Sequence, residues 1–359
     1  MDDVLTIEKI RARPVNVPLA RPIRTAVGNI PSAPLVLIDV FTAEGIVGCA
    51  YIFAYTAVAL GPLARLIDEL DQEMRGKSVA PFERLRDFDL RFRLLGWNGL
   101  VGMAVSGLDM ALWDALGKAA GWPVARLLGS VPRPLPAYDS FGVVDPRADE
   151  RSLEASVQQG FPGIKIKLGA GDLQRDVATV QTVRQIIGAD VALMVDYNQS
   201  LDPVEAERRI SRLASYDLCW VEEPVHAADN QGHARIRGKS PVPIQIGENW
   251  SFPRDMATAI AAGASDLAML DVMKIGGVTG WMGAAALAEA AALPVSSHTF
   301  IEPSAHLLAA TPTAHWLEHL DIAREILVEP CSVEHGTVTA QGPGLGLAWD
   351  ERAVERYAV

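Results

Sequence analysis

One short apolar run after another between positions 165 and 318 ends in an ionisable side chain: Lys165 and Lys167, then Asp196, Glu222, Glu248, Asp271, His298 and Glu318. From Asp196 to His298 the steps are 26, 26, 23 and 27 residues, a near-constant interval. A single acid after an apolar run ordinarily marks no more than a strand leaving the core. Repetition at even spacing points instead to side chains delivered to one place. Three successive carboxylates with no Cys or His among them offer only oxygen ligands, and they repel one another unless a cation sits between them. Such a set suits a hard divalent ion, Mg²⁺ with Mn²⁺ as the alternative. Asp196, Glu222 and Glu248 are therefore the expected ligands. Glu223 competes with Glu222, but neighbours in a strand point to opposite faces, and the spacing selects Glu222.

The chain has only seven lysines, and two of them stand in Lys165-Ile166-Lys167. An i, i+2 pair on a strand shares one face, so both ammonium groups are expected beside the metal. Their mutual repulsion and the ion's charge should lower their proton affinity toward that of a useful base. His298 ends one run and Asp271 the run before it. A carboxylate on an adjacent strand would fix the imidazole's tautomer and raise its basicity. Lys274, in the glycine-rich Lys274-Ile275-Gly276-Gly277, is set outside the catalytic group as a residue that pairs with an acid.

Residues so far apart in sequence must be brought together by the elements that carry them. Eight apolar runs alternate with helical stretches beyond Pro132: Leu135 to Ser140, Gly163 to Lys167, Val191 to Asp196, Leu218 to Glu222, Val242 to Glu248, Leu267 to Asp271, Leu293 to His298 and Trp316 to Glu318. Eight βα-type units of this size predict a TIM-like barrel, whose C-terminal strand ends form one rim around a common mouth. An open doubly wound sheet is disfavoured, because Gly342, Gly344 and Gly346 lie near the C-terminus with no crossover unit after them. Before the barrel, alternation over Leu5 to Val17, Leu35 to Phe41 and Ile46 to Phe53 predicts a three-stranded meander. Helices follow over Val58 to Met74, Phe82 to Leu95 and Leu100 to Ala120, the last stopped by Gly121-Trp122-Pro123. The expected organisation is an α+β domain over 1–130, a barrel over 131–325 and a tail over 326–359 that packs back on the first domain.

Composition narrows the partners. The 359 residues are 49% hydrophobic and 21% charged, enough for a packed core, and the net charge of −12 argues against nucleic acid and anionic membrane surfaces. A small-molecule partner is expected. The cysteines Cys49, Cys219 and Cys331 are odd in number and in no metal-ligand spacing, which fits a reducing cytoplasm. Neither a basic-then-apolar leader pattern nor an uninterrupted run of 18 apolar residues is read, so a cytoplasmic chain is expected.

Longer segments resemble the enolase superfamily, and within it the mandelate racemase subgroup: Lys165-Ile166-Lys167, Val195-Asp196-Tyr197-Asn198-Gln199-Ser200, Trp220-Val221-Glu222-Glu223-Pro224, Gly247-Glu248-Asn249-Trp250, Asp271-Val272-Met273-Lys274-Ile275-Gly276-Gly277 and Ser296-Ser297-His298. The stretch from Ser304 to Glu318 adds to the likeness, which extends over essentially the whole chain. It implies an α/β fold, a (β/α)₇β barrel under an N-terminal α+β capping domain, with Mg²⁺ on Asp196, Glu222 and Glu248. It also implies abstraction of a proton α to a carboxylate through an enediolate. By the same resemblance Lys167 is the base for one enantiomer and His298 with Asp271 the base for the other. Lys165 and a protonated Glu318 would stabilise the enediolate. Ser140 and Asn198 would meet the substrate's polar groups. A lid loop at about 19–30, with Ile23, Val27 and Ile30, would cover the substrate together with Tyr55, and its apolar members suit an aromatic ring. Phe141 and Thr299 depart from the subgroup's pattern, which carries His and Leu there. The implied reaction is 1,1-proton transfer on mandelate or a related aromatic 2-hydroxy acid. An acid-sugar dehydratase of the same subgroup is the alternative, a non-catalytic barrel a remote one, and a homo-octamer the implied assembly.

Overall fold

A computed structural model describes residues 4–25 and 28–359. The N-terminal part opens with strands β1 (Ile7–Thr25), β2 (Gly28–Thr42) and β3 (Val47–Phe53), an antiparallel sheet in that order. Helices α1 (Ala57–Met74), α2 (Pro81–Phe92), α3 (Leu100–Ala120) and the short α4 (Val124–Leu127) follow. Among the described residues α3 is the one helix long and apolar enough to cross a membrane. It is instead a core helix, packed against β3 and the barrel. A side chain at Gly48 of β3 would place its Cβ 2.1 Å from the Ala111 carbonyl oxygen, so glycine is what lets α3 lie directly on the sheet.

The lid differs from the expected loop. β1 and β2 continue through it as a paired hairpin: after a break in register between Pro18 and Ile23, pairing resumes at Ile23 with Ile30, Arg24 with Asn29 and Thr25 with Gly28. Prolines at 18, 22, 31 and 34 interrupt the alternation that marks a strand, and they lack the amide hydrogen a ladder needs. The hairpin is therefore held by cross-strand pairing that no local pattern reveals.

The barrel consists of β4 (Leu135–Val143), β5 (Gly163–Lys167), β6 (Ala192–Asp196), β7 (Leu218–Glu222), β8 (Ile244–Ile246), β9 (Leu267–Asp271), β10 (Val295–His298) and β11 (Leu317–His319), all parallel and paired in chain order. β11 returns to pair with β4. The ring closes where the Ser297 amide donates to the Trp316 carbonyl at 3.0 Å. Seven helices occupy the crossovers: α5 (Glu150–Gln158), α6 (Leu173–Ile187), α7 (Pro203–Leu213), α8 (Asn230–Arg237), α9 (Phe252–Ala262), α10 (Gly277–Ala290) and α11 (Ile301–Ala309). This is the (β/α)₇β arrangement. Tyr138, Met194, Trp220 and Met269 are fully buried as a cluster of their own. Each stands two residues before Ser140, Asp196, Glu222 or Asp271 and so shares its face: an apolar plug fills the barrel beneath a polar rim. After Ile326 the tail adds β12 (Thr337–Val338) to β4, and α12 (Glu351–Tyr357) lies against β1.

Candidate active site

Seven strand ends, β5 to β11, deliver the expected residues to one rim. Asp196, Glu222 and Glu248, all buried, bring ligand oxygens within 4.8 Å of one another. The set fits a hard cation on two further grounds. Glu248 Oε2 is buried without a hydrogen-bond donor, and the other two carboxylates are held from outside the cluster. Trp220 Nε1 and Gln245 Nε2 each donate to Glu222 Oε2 at 3.0 Å. Asn198 donates its amide to Asp196 Oδ1 at 2.7 Å and its Nδ2 to Oδ2 at 3.0 Å. Asn198 thus aims a ligand.

Lys165 lies 2.7 Å from Glu222 Oε1 and 2.8 Å from Glu318 Oε1, fully buried, and Lys167 pairs with Asp196. Paired with these carboxylates, both lysines hold their protons tightly; the expected lowering counts on the ion's charge as well. Burial does weaken the charged form, but carboxylates on other strands outweigh it and hold both lysines above the usual range. The counter-charges come from distant strands, which the Lys-Ile-Lys spacing alone does not contain. A protonated Glu318 is likewise not what this arrangement favours. Burial raises its pKa, yet Lys165 and His298 together with the Thr299 amide at 2.8 Å bring it down to about 2.

On the opposite side His298 Nδ1 is 2.7 Å from Asp271 Oδ2 and Nε2 is 3.3 Å from Glu248 Oε2. Burial opposes its protonation, but Glu248 and Asp271 prevail and raise its pKa to about 9. The Tyr55 hydroxyl reaches Asp271 Oδ2 at 3.4 Å. Ser140 is buried in register with Lys165. Ile23 is buried and Ile30 half-buried, paired across the hairpin, while Val27 lies outside the described residues.

Three residues belong to the site that sequence reasoning set aside. Glu223 is not on the far face of its strand, because β7 ends at Glu222 and Glu223 turns at φ 37°. It is buried, with Asn249 Nδ2 donating to both its oxygens at 3.0 and 2.8 Å. Lys274 donates to Asn249 Oδ1 at 2.7 Å and stands 4.8 Å over the Tyr55 ring. Thr299, read only as a departure, places its Oγ1 3.0 Å from His298 Nδ1. Positive φ at Tyr55, Asn198, Glu223 and Thr299 is concentrated at this rim, where it turns side chains toward a common centre. A glycine-like turn just past a strand end was the signal available for Glu223 and Thr299, and it is not legible from residue type.

A parallel barrel with an acid triad at its C-terminal rim, flanked by buried lysines and a histidine–aspartate pair under a separate α+β cap, defines an enzyme of the enolase superfamily. Residues 7–129 match the mandelate racemase / muconate lactonizing enzyme N-terminal domain and residues 148–353 the enolase C-terminal domain-like family. The chain belongs to that family, in the mandelate racemase subgroup. It is similar to an enolase from Bradyrhizobium solved with magnesium and mandelic acid, at 56% identity, with 100% of both chains covered and a TM-score of 0.98. Among curated proteins it is 32% identical to 3,6-anhydro-alpha-L-galactonate cycloisomerase of Streptomyces coelicolor, covering 98% of this chain and 99% of that protein. It is 28% identical to L-talarate/galactarate dehydratase of Salmonella typhimurium, covering 97% of this chain and 90% of that protein.

Proposed function

We propose that the protein catalyses 1,1-proton transfer at the carbon α to a carboxylate, racemising mandelate or a related aromatic 2-hydroxy acid, with Mg²⁺ on Asp196, Glu222 and Glu248. One observation carries this reading. Lys167 contacts the triad at Asp196 on β6, whereas His298 approaches it at Glu248 after β8, so two bases flank one centre from opposite ends. Racemisation needs a base on each face of a planar intermediate.

Bound there, Mg²⁺ would supply positive charge that acidifies the α-proton and offsets the carboxylates' hold on the lysines. Lys167 Nζ takes the proton of one enantiomer. His298 Nε2, its Nδ1 committed to Asp271, delivers one to the other face, and the roles reverse for the opposite enantiomer. Lys165 and Glu318 face the oxygens on which charge accumulates. Glu318 can donate there only by taking a proton from Lys165 Nζ, 2.8 Å away, which leaves that amine neutral. Ser140 and Asn198 meet the substrate's polar groups, and Ile23, Ile30 and Tyr55 wall in its ring. The solved relative with mandelic acid supports this substrate class.

The dehydratase among the curated relatives keeps a second reading in play, since the same bases could let the intermediate expel a β-hydroxyl. Polarimetry of (R)- and (S)-mandelate with Mg²⁺ separates the two. Optical rotation should decay to zero. A stable rotation together with a 2-keto-3-deoxy acid formed from an aldonate would establish the dehydratase instead. Absence of α-proton exchange in D₂O for every 2-hydroxy acid tried would overturn proton abstraction itself.

A further inference from the structure

The capping hairpin is fastened to the barrel by a charged contact as well as by packing. Arg21 leaves β1 within the stretch where its register with β2 is broken, between Pro18 and Ile23. It crosses to β4 on the barrel. There Nη2 donates to Asp139 Oδ1 at 2.7 Å and to the Ser140 carbonyl at 2.8 Å, and Nη1 donates to Asp139 Oδ2 at 3.2 Å. The guanidinium carbon stands 3.7 Å from the centre of the Phe141 ring.

The barrel side of this contact is already built. Asp139 and Phe141 are 6% and 2% exposed, and Asp139 also accepts from Ser156 of α5, whereas the Arg21 side chain is 40% exposed. A partly exposed cation thus meets a buried seat. Gly142 extends the seat: a Cβ there would lie 2.4 Å from the Arg24 carbonyl oxygen and 2.5 Å from its nitrogen, so the hairpin backbone touches β4 only because no side chain intervenes. Arg24 then pairs with Asp149, just before α5. The fork on Asp139 combined with stacking on Phe141 needs a planar guanidinium, which an ammonium does not reproduce.

We propose that Arg21, seated on Asp139, Phe141 and the Ser140 carbonyl, is the latch that holds the capping hairpin shut over the barrel mouth. It is a positioning residue. None of its contacts falls on the triad, the lysines or the histidine. The consequence for substrate rests on the proposed function; the closure itself does not. When only the closed lid binds, apparent affinity falls with the fraction of molecules that are closed, while turnover at saturation stays.

The test uses the full chain with Mg²⁺ and the variants Arg21→Ala, Arg21→Lys and Phe141→Leu. Amide exchange over residues 19–25 and 28–30 is measured without substrate, and kcat and KM are measured for mandelate. Arg21→Ala should speed hairpin exchange about tenfold and raise KM by a similar factor, with kcat changed less than about threefold. Arg21→Lys should follow Arg21→Ala rather than the wild type. Phe141→Leu, which leaves the buried acid in place, should lie between. Unchanged hairpin exchange in Arg21→Ala overturns the latch, as does a rise spread evenly over the molecule. Faster hairpin exchange with unchanged KM overturns its control of the mouth. Faster hairpin exchange in a protein that leaves mandelate untouched supports the latch while the substrate reading fails.

Discussion

His298 Nδ1 is approached by two oxygens, Asp271 Oδ2 at 2.7 Å and Thr299 Oγ1 at 3.0 Å. A carboxylate can only accept, so Nδ1 keeps its proton and Nε2, facing the triad, is the nitrogen that gains or gives one. Replacing His298 by Asn should stop α-proton exchange in D₂O for one mandelate enantiomer and spare the other. Lys167→Ala should give the mirror result, and racemisation should fall by about a thousandfold in both, within the range for a lost general base. Equal loss of exchange with both enantiomers in each variant would show that the two bases do not act on separate faces. Asp271→Asn presents an amide N–H to Nδ1 and drives the proton to Nε2, so it should copy His298→Asn. Retention of two-sided exchange would count against the dyad. Glu248→Gln removes a charge from the triad, and titration calorimetry should show Mg²⁺ binding weakened by at least about tenfold. Unchanged affinity would remove Glu248 from the ligand set.

The rim depends on elements from both parts of the chain. α10 begins directly after the Asp271–Gly276 turn, and its first amides are met by an acid from the cap: Thr279 donates its amide to Asp109 Oδ2 at 2.9 Å and its Oγ1 to Oδ1 at 2.6 Å. Burial of Asp109 prevails over these bonds and raises its pKa to about 7. A carboxyl with a raised folded-state pKa costs stability once ionised, so the cost grows as pH rises from about 4 to about 7, up to roughly 4 kcal/mol. Asp109→Asn removes that titration. Denaturant midpoints at pH 5 and pH 8 should therefore show the variant gaining on the wild type at the higher pH, and a constant difference would sink the assignment. How far such elements are legible beforehand depends on what encodes them. β5, β7 and β9 have the bounds the sequence predicts, because an apolar run ending in a charge is a local signal. The hairpin over Ile23 and Ile30, the turn that brings Glu223 inward and the counter-charges on Lys165 are set by partners far along the chain. Parity placed Glu222 correctly and failed one residue later, where the strand had ended.

At the scale of the molecule, cap and barrel are joined by more than the mouth they share. The tail ties both: β12 extends β4, Trp349 Nε1 donates to Asp39 Oδ1 at 2.7 Å, and Ala358 bridges to Val15 of β1. At the centre of this strap is Asp114 on α3. Fully buried, it accepts from the Cys49 amide of β3 at 2.6 Å and the Leu345 amide of the tail at 2.7 Å, and it pairs with Lys118 at 2.6 Å. Sheet, helix and tail thus converge on one carboxylate. Because these ties run through buried polar groups, the two parts should lose structure together. Far-UV circular dichroism and tryptophan fluorescence should report one coincident denaturant transition. Asp114→Ala leaves two buried amides without an acceptor and should cost about 3 kcal/mol. The tail and the cap sheet then lose the carboxylate they share on α3, so the variant's transitions should separate, with signals from the cap lost at lower denaturant than those from the barrel. A variant that unfolds in one transition at the wild-type midpoint would show that Asp114 fastens nothing.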